Sequence, residues 1–179
     1  MKFSKGLIYI FFGLIIIIAS FFVFYLSTFN SKFNDLIKAV SIENQVDYTL
    51  CLAIAKAESK FDQNAKSSAN AIGIMQIKLE TANYMKQIYG EKQLAEEELF
   101  LPQNNIVCGI QYIKYLMNRF EDVDVVICAY NAGETVVRSW LNDNYYSNDG
   151  KTLSKIPYQE TQNYLKKVKY NQNVYRKIA

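Results

Sequence analysis

At 179 residues the chain has room for one domain and an appendage. It carries no histidine, which removes Ser-His-Asp and Cys-His triads, histidine-ligated zinc and a histidine base in one step. Hydrolytic or lyase chemistry must therefore run on carboxylates, hydroxyls, lysine or tyrosine, and the formal net charge of +3, which includes Lys2 and Lys5, is no footprint for nucleic acid.

Residues 1–6 are short and basic, and residues 7–26 run without a charge through Ile15 to Ile18 and the pair Phe21 and Phe22. About 20 apolar residues is the length that spans a bilayer. A cleaved signal peptide would have a shorter apolar core and an A-x-A-like end, whereas Ala19 and Ser20 lie inside this run. Residues 7–26 therefore read as a transmembrane signal anchor. The two lysines keep 1–6 cytoplasmic, 27–34 is a polar juxtamembrane stalk, and 35–179 is an extracytoplasmic domain in a single-pass membrane protein.

From Asp35 onward the pattern is helical. A first helix covers 35–45, with Leu36, Ile37, Val40 and Ile42 inward. Asp47 is a good N-cap for the next helix, which runs to Glu58. Leu50, Ile54, Ala57 and Phe61 share one stripe of that helix, and Glu58 sits beside it, half committed to the core. Desolvation raises the pKa of such a carboxyl, which suits a general acid near neutral pH. Position alone favours the plainer reading of a surface glutamate at a helix end.

Residues 62–71 form a polar loop, 73–77 a short apolar segment led by glycine, and 81–89 a helix closed by Gly90. After an acidic turn and short helix over 91–98, Pro102 opens a long helix whose Ile106, Ile110, Ile113, Met117 and Phe120 form a continuous core face. Asp122 or Asp124 caps a helix over 125–130 that meets Asn131, Ala132 and Gly133. Residues 134–141 form a short amphipathic helix carrying Trp140, and 142–155 a polar loop. After Pro157 a last helix runs to about Lys177 with Thr161, Tyr164, Leu165 and Val168 inward. No stretch alternates as a strand does, so the expected fold is mainly α, with short helices around a long central one. Cys51, Cys108 and Cys128 lie in apolar stretches without metal spacing and read as buried small hydrophobes, a disulfide between two of them staying open.

Four patches break the amphipathic pattern: Glu58-Ser59; Ser67 through Gln76; Ala129-Tyr130-Asn131-Ala132-Gly133; and Tyr158-Gln159-Glu160-Thr161. In this order they resemble the catalytic domain of the soluble lytic transglycosylases, a lysozyme-like family that cuts peptidoglycan. Glu58-Ser59 with Phe61 looks like that family's ES-x-F motif, and Ala65, Ser67, Ala71 and residues 73–77 like its A-x-S…GLMQ segment, followed by Thr81-Ala82. Pro102, Asn105, Gly109 and Tyr112 match its P…N…G…Y helix, residues 129–133 its AYNAG, and Glu160-Thr161, Tyr164 and Val168 its closing ET…Y…V. Asn70 stands where the family prefers glycine, Lys78 replaces a methionine, and Leu79 replaces a proline. Asn tolerates a positive φ better than other side chains, so the turn at 70 is expected to survive.

The resemblance implies a lysozyme-like domain with a single catalytic carboxyl, Glu58, and no metal or cofactor. Glu58 would protonate the leaving oxygen, the substrate's N-acetyl group would assist, and Glu58 would then act as base on the sugar's C6 hydroxyl to leave a 1,6-anhydromuramoyl end. Ser67 and Gln76 would hydrogen-bond the sugar and its acetamido group, Tyr130 and Asn131 would line the cleft, and Glu160 would contact or support the substrate, with peptidoglycan glycan strands as the partner. Plainer roles stand beside these: a turn for Ser67, a backbone cap for Gln76, a helix stop at 131–133, and a first-turn glutamate for Glu160. If a second carboxylate took part, the candidates are Asp62, Glu80, Glu134 and Glu160. The rival functions are hydrolysis of the same bond, as in goose-type lysozymes, a catalytically silent glycan-binding module, and a membrane-tethered adaptor.

Overall fold

The computed structural model describes residues 5–178, with the side chains of 5–8, 10 and 26 excepted. The chain divides into two compact units, one ending at Lys32 and the other beginning at Phe33. In the first, α1 (Lys5–Ser27) is a helix of 23 residues whose apolar side chains, among them Phe11, Ile16, Phe21 and Phe24, are exposed. Among the described residues no helix is long and apolar enough to cross a membrane. The span expected over 7–26 includes side chains at 7, 8, 10 and 26 that lie outside the described ones, as does most of the N-terminal stretch expected to be cytoplasmic.

The second unit is mainly helical. Helices α2 (Asn34–Glu43) and α3 (Tyr48–Ser59) are followed by the short strands β1 (Ala71–Ile72) and β2 (Ile77–Lys78), then α4 (Leu79–Ile88), α5 (Glu96–Leu99) and α6 (Pro102–Met117). Helices α7 (Val123–Ala132), α8 (Glu134–Leu141) and α9 (Gln159–Ile178) complete it. The run from Leu50 to Ala55 is apolar on every side, which suits a helix surrounded by protein, and all six residues are buried. Asp47 caps α3 by accepting from the Thr49 and Leu50 amides at 2.7 and 3.3 Å. Helix α9 packs along α3, where Asn171 donates to the Ala53 carbonyl and Gln172 and Arg176 donate to Asp47.

Several expectations are corrected. Helix α6 ends at Met117, which is half-buried, and Leu116 takes the core position instead. The longest helix of this unit is α9 with 20 residues against 16 for α6, and the helix buried on all sides is α3. Ile42 is exposed, because Ile37, Val40 and Ser41 supply the buried face of α2. Asp122, not Asp124, caps α7 by accepting from the Val125 amide at 2.9 Å. A sheet does exist: β1 and β2 pair antiparallel with Ala71 opposite Lys78 and Ile72 opposite Ile77. Two-residue strands are too short for alternation to register in sequence. The three cysteines are free and buried, and burial pushes the thiols up, to about 11 for Cys108 and about 12 for Cys128.

The hairpin is locked to α6 by one amide. Asn105 is fully buried, accepts from the Met75 amide at 2.8 Å, and donates to the carbonyls of Ile72 at 2.8 Å and Leu99 at 3.1 Å. Gly73, at φ +72°, lies so close that a Cβ there would fall 2.5 Å from Asn105 Nδ2. Gly109 makes room for Met75 in the same way, at 2.7 Å. Asn105→Ala would strand a buried donor and two carbonyls. It is expected to lower the unfolding free energy by about 2–4 kcal/mol in urea titration, and a loss below about 1 kcal/mol would show the tie to be dispensable.

Candidate active site

Glu58 occupies the last turn of α3, and three side chains fix its surroundings. Ser59 Oγ donates to the Ile74 carbonyl at 2.8 Å, which ties the helix end to the hairpin turn. Tyr164 Oη, from α9, donates to Glu58 Oε1 at 2.7 Å. Lys167, one turn further along α9, donates from Nζ to the Ala57 carbonyl. Burial is the largest influence on the Glu58 carboxyl and raises its pKa. The Tyr164 hydrogen bond and the Lys167 charge pull it down, the Glu160 charge pushes it up, and the result is about 7 against an ordinary 4.5. The carboxyl expected from its place beside the apolar stripe is thus half-buried and protonated at neutral pH for a substantial fraction of the time.

Glu58 lines a cleft of about 580 Å³ together with Ser67, Gln76, Tyr130, Asn131 and Glu160, so all six residues singled out in sequence meet there. Their hydrogen bonds separate what each can offer. Ser67 Oγ accepts from the Ala71 amide at 3.0 Å and shapes the turn. Gln76, at φ 46°, donates from Nε2 to the carbonyls of Ala65 at 3.2 Å and Gly73 at 2.9 Å, which leaves Oε1 as its acceptor for a ligand. Tyr130 Oη donates to the Met75 carbonyl at 2.8 Å, and its ring meets Tyr112, another lining residue. Asn131 Oδ1 accepts from Thr161 Oγ1 at 2.7 Å, so its amide nitrogen is the free end. Glu160 is exposed at the rim. Asn70 adopts φ 59°, as a residue standing in for glycine must.

Glu58 and Glu160 are the carboxylates among the described lining residues. Asp62, Glu80 and Glu134 do not line the cleft, and Glu134 is held by Arg138 and Arg119 at 2.8 and 3.5 Å. The arrangement supplies one carboxyl with a raised pKa in a cleft lined mainly by polar side chains. Tyr164 stands in the sequence as an inward position on the last helix and as the tyrosine of the ET…Y…V element, with no partner assigned to it. Its bond to Glu58 spans 106 residues, and local periodicity carries no signal for such a pairing. Lys78 also lines the cleft and brings a cation where the resembling family has methionine.

The transglycosylase SLT domain family matches residues 25–153. The match starts ahead of the expected domain boundary and stops short of α9, so the placement of Tyr164 and Glu160 rests on the structure. The soluble lytic murein transglycosylase of Escherichia coli K12 is 31% identical over 143 residues, covering 78% of this chain and 22% of that protein. The membrane-bound lytic murein transglycosylase C of Photorhabdus laumondii is 36% identical over 124 residues, covering 63% of this chain and 34% of that protein. The crystal structure of the 70 kDa soluble lytic transglycosylase of Escherichia coli aligns with a TM-score of 0.74 at 28% identity, over 84% of this chain and 25% of that one. The chain thus spans roughly a fifth to a third of the length of these relatives.

The raised Glu58 pKa has a signed effect on stability. An acid raised in the folded state contributes stability that is complete below its unfolded pKa of about 4.3 and is lost as pH rises through about 7. Glu58→Gln removes that loss. Its melting temperature is expected to exceed the wild type's by an increment that grows between pH 5 and 8, reaching the equivalent of roughly 1–2 kcal/mol after discounting for solvent screening. A pH-independent difference in melting temperature would mean that Glu58 titrates normally.

Proposed function

The chain belongs to the transglycosylase SLT domain family, and on that premise we propose that it is a peptidoglycan lytic transglycosylase with Glu58 as its single general acid and base. The observation that carries the reading is the half-buried Glu58 carboxyl, raised to about 7 and held through Oε1 by Tyr164, in a cleft whose other carboxylate lies at the rim. With Oε1 accepting from Tyr164, Oε2 is the oxygen that carries the proton. In the first step Oε2–H protonates the glycosidic oxygen as its bond to the muramic acid anomeric carbon breaks, and the N-acetyl carbonyl of that sugar stabilises the positive charge.

The resulting Glu58 carboxylate is favoured by the same Tyr164 hydroxyl and by the Lys167 charge. In the second step it takes the proton of the C6 hydroxyl while that oxygen closes on the anomeric carbon. The proton lost in the first step is thereby regained, and a 1,6-anhydro end forms without a protein nucleophile. The Gln76 acceptor and the Asn131 amide nitrogen are suited to the acetamido group and the sugar hydroxyls.

We further propose that α1 anchors this domain to the membrane with the cleft outside the cytoplasm. The uncharged run over 7–26 and the exposed apolar side chains of α1 support this, since in water such a helix would leave a large apolar surface uncovered. The full chain is expected to stay with membranes through an alkaline carbonate wash and to leave them in detergent. Release by carbonate alone would rule out a spanning anchor.

For the chemistry, purified peptidoglycan is digested with the full chain and the released fragments are weighed by mass spectrometry. Anhydromuramoyl ends are expected, at a rate that falls as pH rises through about 7, and Glu58→Gln should slow release by at least about 100-fold. Reducing muramic ends alone would point to hydrolysis, and undiminished release by Glu58→Gln would overturn the assignment of the acid.

A further inference from the structure

Lys78 breaks a local rule. It is the N-cap of α4, a place where Ser, Thr, Asp or Asn would accept from the first free amides, and its side chain makes no cap there. A cation at this end of a helix is also disfavoured by the macrodipole. Glu80, in the first turn of α4, makes no ion pair with it, and among the described residues Lys78 has no hydrogen-bond, ion-pair or ring partner. A residue that costs local stability and gains no partner in return has its use elsewhere.

That use is in the cleft. Lys78 is exposed and lines it, as does Ala71, which stands opposite it in the strand pair and is too short to cover the lysine stem. Glu58, Glu160 and Lys78 are the charged groups among the described lining residues, so Lys78 is the cation of that set. Glu160 and Lys167 act on the Glu58 carboxyl, whereas Lys78 is not among the groups that do. Lys78 is thus a binding cation set apart from the proton transfer, and its counterpart is an anion on the ligand. Gln76, whose Oε1 suits an acetamido group, lies two residues away. In muramic acid the acetamido group is on C2, and the neighbouring C3 carries a lactyl ether that ends in a carboxyl group. Two lining residues close together in the chain thus meet two substituents on adjacent ring carbons, and the flexible lysine stem can follow the lactyl arm.

We propose that Lys78 is a specificity-determining residue that pairs with the free lactyl carboxylate of muramic acid, so that the chain prefers glycan from which the stem peptides have been removed. The assignment rests on the reading of the cleft as a muramic acid site. Where a stem peptide is attached, the lactyl carboxyl is a neutral amide and offers Lys78 no charge. The free carboxylate forms when water cleaves that amide and releases the amine of the peptide, so the preference places this chain after an amide hydrolysis.

The test uses the full chain carrying Glu58→Gln, so that ligands are bound without being cut. Calorimetry at pH 7 compares three tetrasaccharides of the glycan repeat: one with free lactyl carboxylates, one with these converted to methylamides, and one bearing stem peptides. The Glu58→Gln protein is expected to bind the carboxylate form about fivefold more tightly than the methylamide at low salt, with the preference shrinking as salt is raised. Adding Lys78→Met, which keeps an unbranched stem and drops the charge, should bring that ratio below about twofold, and Lys78→Arg should keep it. The ratio is read within each variant, so a general loss of affinity cancels. Equal binding of carboxylate and methylamide by Glu58→Gln, or a preference that Lys78→Met leaves intact, overturns the assignment and leaves the cleft reading standing. A Lys78-dependent gain confined to the peptide-bearing ligand overturns it as well, by moving the partner to a peptide carboxylate. Failure to bind any of the three overturns the cleft reading too.

Discussion

The cleft depends on the apolar turn between the two short strands. Its backbone groups are bonded from three helices: Asn105 of α6 takes the Met75 amide and the Ile72 carbonyl, Ser59 at the end of α3 takes the Ile74 carbonyl, and Tyr130 of α7 takes the Met75 carbonyl. An unpaired backbone group in this buried place would cost on the order of 1–3 kcal/mol, so each bond also fixes where its helix sits. Ile72, Ile77, Ala82, Leu99 and Cys108 form the apolar bed under the turn. Asn105 and Ser59 do not line the cleft, so two of the three groups that fix the turn act from outside it, and Tyr130 both fixes the turn and lines the cleft.

The acid is a balance of opposing influences. A carboxyl with burial alone would hold its proton too tightly to give it up readily, whereas one paired directly with a cation would ionise too early to be an acid and would be a weak base afterwards. Here burial leads, and a neutral hydroxyl and a lysine committed to the Ala57 carbonyl offset it in part. A value near 7 lets one group serve both directions of proton transfer, which a mechanism without a second carboxylate requires.

Much of this was legible in the chain. The apolar run before Glu58, the capping aspartate at 47 and the P…N…G…Y spacing report local periodicity or single-position requirements, and the helices they imply are present. The buried amide of Asn105 and the close approach at Gly73 and Gly109 explain why those types stand there, although spacing alone says nothing about their partners. The strand pair was missed because two residues cannot display a period. Tyr164 was legible as a core position and illegible as a partner of Glu58, since that contact arises from packing α9 along α3. Tyr130 shows the converse: its motif pointed to the cleft, but the hydroxyl proton is committed to the Met75 carbonyl, so it has no O–H to offer the cleft.

Helix α3 stops abruptly. Lys60 and Phe61 both take left-handed backbone angles, φ 56° and 67°, although neither is glycine, and the helix ends one residue after Glu58. The last carbonyls of a helix carry the negative end of its macrodipole, equivalent to about half an elementary charge within the final turn. A carboxylate there is disfavoured by roughly 0.3–1 kcal/mol, so the stop adds to burial in keeping Glu58 protonated. Lys167, by donating to the Ala57 carbonyl, quenches part of that field. A change at Lys60 or Phe61 that let the helix run on would carry its negative pole away from Glu58, and so strengthen the acid from a position outside the cleft lining.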